Sequence, residues 1–213
     1  MIDITRQVNI LAEAVHGRRQ AVPRLMVAIA GPPGSGKSTL ASGLRRRLTD
    51  QKVPSEVVPM DGFHLDNAVL EARGLLPRKG APETFDSEGF VQAIRRLRGG
   101  GEVVLPTFDR TRDLSVAGAL VVAPDIQVVI VEGNYLLLDE LPWRNLERLW
   151  DIGVRLDVPL ADLRGRLIQR WLSHGFSRPV AVRRAEANDI PNAERILSRA
   201  LPAEIVIDQG DSR

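Results

Sequence analysis

Between the apolar run Leu25-Met26-Val27-Ala28-Ile29-Ala30 and a helix-like stretch lie eight residues, Gly31-Pro32-Pro33-Gly34-Ser35-Gly36-Lys37-Ser38, that read G-x-x-x-x-G-K-S. A buried strand must end where this loop begins, and a helix must start where it ends. The glycines allow successive backbone N–H groups to face one polyphosphate, and the following helix adds its positive N-terminus. Lys37 is placed to neutralise β and γ oxygens, the Ser38 hydroxyl to ligate Mg²⁺, and Thr39 adjoins them in the first helical turn. The segment is therefore expected to be a phosphate-binding P-loop that takes a nucleoside triphosphate with Mg²⁺, rather than a Gly-rich turn that binds nothing.

A chain of 213 residues suits one domain over its whole length and buries a substantial core without staples. Its 44% hydrophobic and 26% charged content is globular, and no apolar run approaches the ~20 residues of a membrane span. The absence of cysteine excludes disulfides, thiolate nucleophiles and Cys-ligated zinc, and fits a cytoplasmic protein. With a net charge of +2 and no long block of like charge, neither nucleic acid nor membrane is an expected partner. Arg45-Arg46-Arg47 reads as a solvated helix face. No signal peptide is recognisable at the N-terminus, and Asp3 and Glu13 argue against a transit peptide. Ile4, Val8, Leu11 and Val15 instead form one apolar face of an amphipathic helix within residues 1–20.

Strand and helix then alternate: strand 25–30, helix 37–49, strand 55–60, helices near 65–73 and 87–98, strands 126–131 and 152–158, helix 160–174, strand 204–208. Such alternation predicts an α/β three-layer sandwich, a mostly parallel sheet with helices on both faces. The β-branched runs Val128-Val129-Ile130-Val131 and Val57-Val58 read as central strands. Residues 102–105 and 119–122 bracket a charged loop and are expected to form a hairpin beside the sheet.

In an open parallel sheet ligands collect at the carboxyl ends of the strands. Asp61, leaving strand 55–60, is a candidate general base for an attacking hydroxyl; an idle Asp-Gly turn is the alternative. His64 is either a substrate contact or a hydrogen-bonded cap. Glu132, ending the longest apolar strand, is expected to hold Mg²⁺ opposite Ser38 and to border the substrate. Two segments look substrate-facing. Arg78 to Asp86 contributes Lys79 and Phe85, with Asp86-Ser87 also a plausible helix start, and Pro106 to Arg110 contributes Asp109 and Arg110, with a local ion pair between them as the plainer account. Arg166 and Arg170 share one helix face and would close over the nucleotide to neutralise the transferring group, with solvation the alternative. Arg178, Arg183 and Arg184 are further candidates for that helical lid, over about residues 160–190. Trp143, Trp150 and Trp171 read as packing residues.

The P-loop, Asp61-Gly62-Phe63 and the run from Arg73-Gly74-Leu75 to Asp86 resemble the phosphoribulokinase/uridine kinase family of P-loop kinases, type I pantothenate kinases especially, and Val131-Glu132-Gly133 and Arg166 to Arg170 extend the likeness. Phe108-Asp109-Arg110 and Asn188 to Asn192 resemble a short bacterial branch described as nucleoside/nucleotide kinase-like or fructose-transport-associated. The resemblance implies transfer of the γ-phosphoryl of MgATP to a hydroxyl of a small metabolite, with Asp61 as base, and dimers are common in the family. A non-catalytic ATP sensor is the rival reading. The chain has neither the Asn-Lys-x-Asp segment of a GTPase nor the Leu-Ser-Gly-Gly-Gln signature of a transporter ATPase.

Overall fold

Successive side chains of a strand point to opposite faces, so a strand with no polar residue must be covered on both. That is the position of β1 (Leu25–Ala30) in the computed structural model, which describes residues 4–19 and 22–208. β1 lies between β5 (Val128–Gly133) and β6 (Ile152–Asp157) in a five-stranded parallel sheet of order β2-β5-β1-β6-β7, with β2 at Ser55–Pro59 and β7 at Ile205–Asp208. Leu25, Val27 and Ile29 face a core shared with α1 (Thr5–Arg18) and α2 (Lys37–Asp50). Met26, Ala28 and Ala30 face the other core, built with α4 (Ser87–Arg98) and a cluster of rings around Trp143. The expected two-faced α/β sandwich is therefore formed. None of the described helices is long and apolar enough to cross a membrane.

α1 docks through Val8, Leu11, Ala12 and Val15, the face expected from the spacing; Met1 to Asp3 and Gln20 lie outside the described residues. The reading of Val57-Val58 as part of a central strand is corrected, because β2 pairs with β5 alone at the sheet edge and leaves Val57 half-buried. Asp86 caps α4 by accepting from the Gly89 N–H at 2.9 Å, which realises its helix-start reading. The short helix α3 (Asn67–Ala72) is capped in the same way by Asp66.

β3 (Val103–Asp109) and β4 (Leu114–Val122) form the expected hairpin as a separate antiparallel ribbon, longer than its apolar ends indicated. It approaches the sheet so closely that a Cβ on Gly62 would lie 2.3 Å from the carbonyl oxygen of Pro106. After α5 (Leu160–Ser173) the chain continues helically through α6 (Arg178–Arg184), a π turn at Ala185–Asp189 and α7 (Ile190–Ser198). A helical segment to about residue 190 is expected from the sequence, but its division into α6, a π turn and α7, and its extension to Ser198, are not. The π turn shifts the apolar spacing, and Pro191, which lacks an N–H, falls just after it. Leu163 and Leu167 of α5 pack with Ala185, Ile190 and Ala193 to hold these helices together.

Arg24 enters β1 from below with only 1% of its surface exposed. Its five N–H groups all reach main-chain carbonyls, of Leu97, Gly100, Gly101, Ala123 and Ile126, at 2.8–3.1 Å. One side chain thus ties the end of α4 and the Gly99–Gly101 turn to the β4–β5 connection. Arg24→Met leaves those carbonyls unpaired and is expected to cost about 3 kcal/mol or more in urea denaturation, with the m-value unchanged.

Candidate active site

The register of the sheet brings the chemistry together. Ala30 of β1 is level with Gly133 of β5, and Pro59 of β2 with Glu132, so the loops leaving these three strands open on one edge. Gly31 to Gly36 turn there into α2. Gly36 is the N-cap residue with φ +88°, a left-handed conformation that an L side chain rarely adopts, and Lys37 and Ser38 form the first helical positions. Ser35 is fully buried and its hydroxyl has no partner among the described residues, while Pro32 and Pro33 are buried and Thr39 is exposed.

At the foot of the loop the Ser38 hydroxyl donates to Glu132 Oε1 at 3.1 Å. Glu132 is 6% exposed, and burial pushes its carboxyl above the usual range, opposed chiefly by the nearby charge of Lys37. A buried carboxylate beside a hydroxyl at the start of a helix is an oxygen donor set suited to a hard divalent cation. These two residues line a cavity of about 270 Å³ together with Ser42, Asp61, Thr107 and Arg110.

Asp61 lies in a short 3-10 turn, Met60–Phe63, at the end of β2. It borders both the small cavity and a larger one of about 810 Å³ that is also lined by Lys37 and Pro33 of the P-loop. Arg110, at the tip of the β3–β4 ribbon, donates from Nη2 to Asp61 Oδ2 at 2.8 Å. The expected pairing of Asp109 with Arg110 is therefore corrected. Asp109 accepts from the N–H groups of Thr111 and Arg112 and pairs with the Arg112 side chain, closing the hairpin turn away from the cavity.

His64 lines the larger cavity between two rings, 4.0 Å from Phe85 and 4.6 Å from Phe108 between centroids. Its Nδ1–H donates to the Asp61 carbonyl at 2.8 Å, and burial lowers its pKa, so the neutral ring keeps Nε2 as an acceptor. Phe85 does not border the cavity. At 5% exposure it packs behind His64 against Tyr135 and Trp143, because its ring completes the core beneath that wall.

Lys79 does line the cavity, yet its ammonium is spent. It donates to Asn67 Oδ1 at 2.6 Å, the Asp113 carbonyl at 2.8 Å and Asp113 Oδ1 at 2.9 Å, and it sits 5.1 Å from the Phe108 ring centre. An ammonium has three protons. The substrate-contact reading of Lys79 is accordingly corrected to that of a latch, which fastens the ribbon tip to the 65–80 segment.

The lid arginines divide. Arg166 Nη1 approaches the Gly34 carbonyl at 3.4 Å, against the P-loop, whereas Arg170 lines the large cavity one turn further along α5. Trp171 is not a mere packing residue. It lines the cavity, donates to Asp189 Oδ2 at 2.6 Å, and with Phe176 flanks the Arg184 guanidinium, at 5.0 and 4.5 Å from the two ring centres. Trp143 is core, and Trp150 donates from its ring N–H to the Leu136 carbonyl.

Asn134 from the end of β5 and Asn188, Asp189 and Asn192 around the π turn complete the wall, and none of them was anticipated there as a site residue. Asn188 donates to the Lys79 carbonyl at 2.8 Å and accepts from Asn192 at 3.2 Å. Arg195 of α7 binds Glu140 and Glu83, fixing this wall to both neighbouring segments. The polar pair Asn188-Asp189 inside an apolar helical pattern was the available signal, but the π turn that aims it is a tertiary outcome.

The profile of the Phosphoribulokinase / Uridine kinase family matches residues 26–173. The chain is 39% identical over 188 residues to the "Uncharacterized protein YggC" of Escherichia coli (strain K12), covering 87% of this chain and 78% of that one. It is 33% identical over 174 residues to the pantothenate kinase of Leifsonia xyli subsp. xyli, covering 79% of this chain but 54% of that enzyme. The crystal structure described as a "putative fructose transport system kinase" from Silicibacter sp. TM1040 superposes with a TM-score of 0.89 at 52% identity, covering 93% of this chain and 98% of that one. The phosphate loop and the acids that close β2 and β5 thus occur in a chain that belongs to the phosphoribulokinase/uridine kinase family of P-loop kinases.

Proposed function

We propose that this protein transfers the γ-phosphoryl group of ATP to a hydroxyl of a small metabolite, a sugar or sugar-like compound, a pantothenate-like compound or a nucleoside. The observation that carries this reading is that Lys37 of the phosphate loop and Asp61, the one acid at the end of β2, face the same cavity of about 810 Å³, large enough for an acceptor beside a triphosphate tail. ATP is a substrate here. Ser38 and Glu132 would hold Mg²⁺, which when bound supplies charge neutralisation on the phosphate oxygens.

The chain's own groups account for the remaining work. Backbone N–H groups of the loop and Lys37 hold the donor phosphates. Asp61 takes the proton as the acceptor oxygen bonds to the γ-phosphorus and the bond from that phosphorus to the bridging oxygen breaks, its electron pair leaving with ADP. Arg170, with Arg166 against the loop, answers the charge on the transferring group. Trp171 and the lid helices cover the cavity and keep bulk water from competing as acceptor.

Asp61→Asn is expected to retain ATP binding within about 2-fold and to lose acceptor-dependent ADP release by roughly 10²- to 10⁴-fold. Tight ATP binding with no acceptor dependence in the wild type would instead describe a sensor. Lys37→Ala serves as the blank.

Glu132 yields a stability prediction of definite sign. Its folded-state pKa is raised above the ordinary 4.5, so the native state binds more protons than the unfolded one and stability falls as pH rises above that value. Glu132→Gln removes the cost. At pH 7–8 the metal-free variant is expected to melt about 2–4 °C higher than wild type, the gap closing as the pH is lowered to 4.5 and below, while MgATP turnover falls by at least about tenfold.

A further inference from the structure

The cations around the large cavity can be accounted for one at a time. Lys37 and Arg170 answer to ATP, on the reading above. The three protons of Lys79 are taken by Asn67 and Asp113, and Arg184 is clasped by Trp171 and Phe176. Two guanidinium groups remain, those of Arg110 and Arg183. Arg183 is exposed and has no hydrogen bond among the described residues. Arg110 has five N–H donors, and among the described residues it uses one, to Asp61.

That single bond falls on the carboxylate that has to receive the acceptor's proton. A neutral alcohol entering the cavity reaches Asp61 only through Oδ1 while the guanidinium keeps Oδ2, and it offers that guanidinium nothing in return. An acceptor that brings its own anion repays the exchange. Arg110 passes from the Asp61 carboxylate to the incoming one, and Asp61 is released toward the hydroxyl. The geometry permits the movement, because Arg110 stands at a hairpin tip with 59% of its side chain exposed, while the tip itself is held by the Lys79 latch.

We propose that the acceptor is an anionic hydroxyl compound, with a carboxylate or phosphate group near the hydroxyl that is phosphorylated, and that Arg110 is the residue that selects it by exchanging Asp61 for that anion. This rests on the kinase reading. It also gives Arg110 a second effect. Until the anion arrives, Arg110 keeps Asp61 Oδ2 from water, so ATP is spared.

The test measures ADP release with MgATP against matched acceptors: aldonic acids and sugar phosphates, beside alditols and free sugars of the same carbon number. Wild type, Arg110→Gln and Arg110→Lys are compared, with ATP binding and thermal melting as controls on folding. The expected result is a kcat/KM for one anionic class at least about 100-fold above its neutral counterpart, the acid and phosphate arms separating the two sources of the anion. Arg110→Gln is expected to raise KM for that anionic acceptor roughly 10- to 100-fold, to leave KM for the neutral one unraised, and to increase acceptor-free ATP hydrolysis several-fold. Arg110→Lys, which keeps the charge but not the fork, should fall between. Neutral alcohols turned over as well as the anions, or an anion preference that survives in Arg110→Gln, would overturn the inference and leave the kinase reading standing. A panel with no active acceptor despite intact ATP binding would overturn both.

Discussion

The parallel pairing of β1 with β5 sets where every group of the cavity can stand. With Ala30 level with Gly133, the phosphate loop and the Glu132 carboxylate leave the sheet at one height, and the pairing of β5 with β2 brings Asp61 to the same edge. A side chain in a strand alternates faces, so a slip of one residue would send Glu132 to the opposite side. The register is held by complete burial of β1 and β5, whose apolar residues supply both cores. Glu132 is the exception in this apolar environment. Burial raises its pKa even with the charge of Lys37 nearby, so the carboxylate has a use for a further positive charge such as a bound cation.

Against this edge the β3–β4 ribbon is a separate sheet, joined through Val103, Leu105 and Val122 in the shared core and by specific contacts nearer its tip. Gly62 permits the carbonyl of Pro106 to approach, the His64 ring lies between Phe85 and Phe108, and Lys79 fastens the hairpin tip through Asp113. These contacts let the ribbon carry Arg110 to Asp61. The lid is attached differently. It has its own small core, and Arg195 with Asn188 ties it to the segments that precede and follow the sheet edge. Two separately built elements thus meet over one edge of the parallel sheet.

Much of the arrangement was legible in the chain. The P-loop, the acids closing the strands, the hairpin and the amphipathic face of α1 follow from local patterns, because strand burial, turn chemistry and helix capping act over a few residues. Three of the site readings that the structure corrects show where local patterns stop. Asp109, Phe85 and Lys79 have the composition of ligand contacts, but Asp109 closes its own turn, Phe85 fills the core behind His64, and Lys79 is saturated by Asn67 and Asp113. For Phe85 and Lys79 the outcome depends on which distant segments approach, which sequence spacing does not give, whereas Asp109 is satisfied within three residues of its own turn.

What the sequence by itself determined is the phosphate loop, its flanking strand and helix, and the alternation that makes a parallel sheet, since each is encoded in contiguous residues whose backbone conformations and burial are local properties. The tertiary structure alone decided that Arg110 meets Asp61 from 49 residues away, that β2 lies at the edge, and that a π turn carries Asn188 and Asp189 to the cavity wall. Each of these depends on packing between distant segments, where the favourable contact for one group is settled by the positions of all its neighbours.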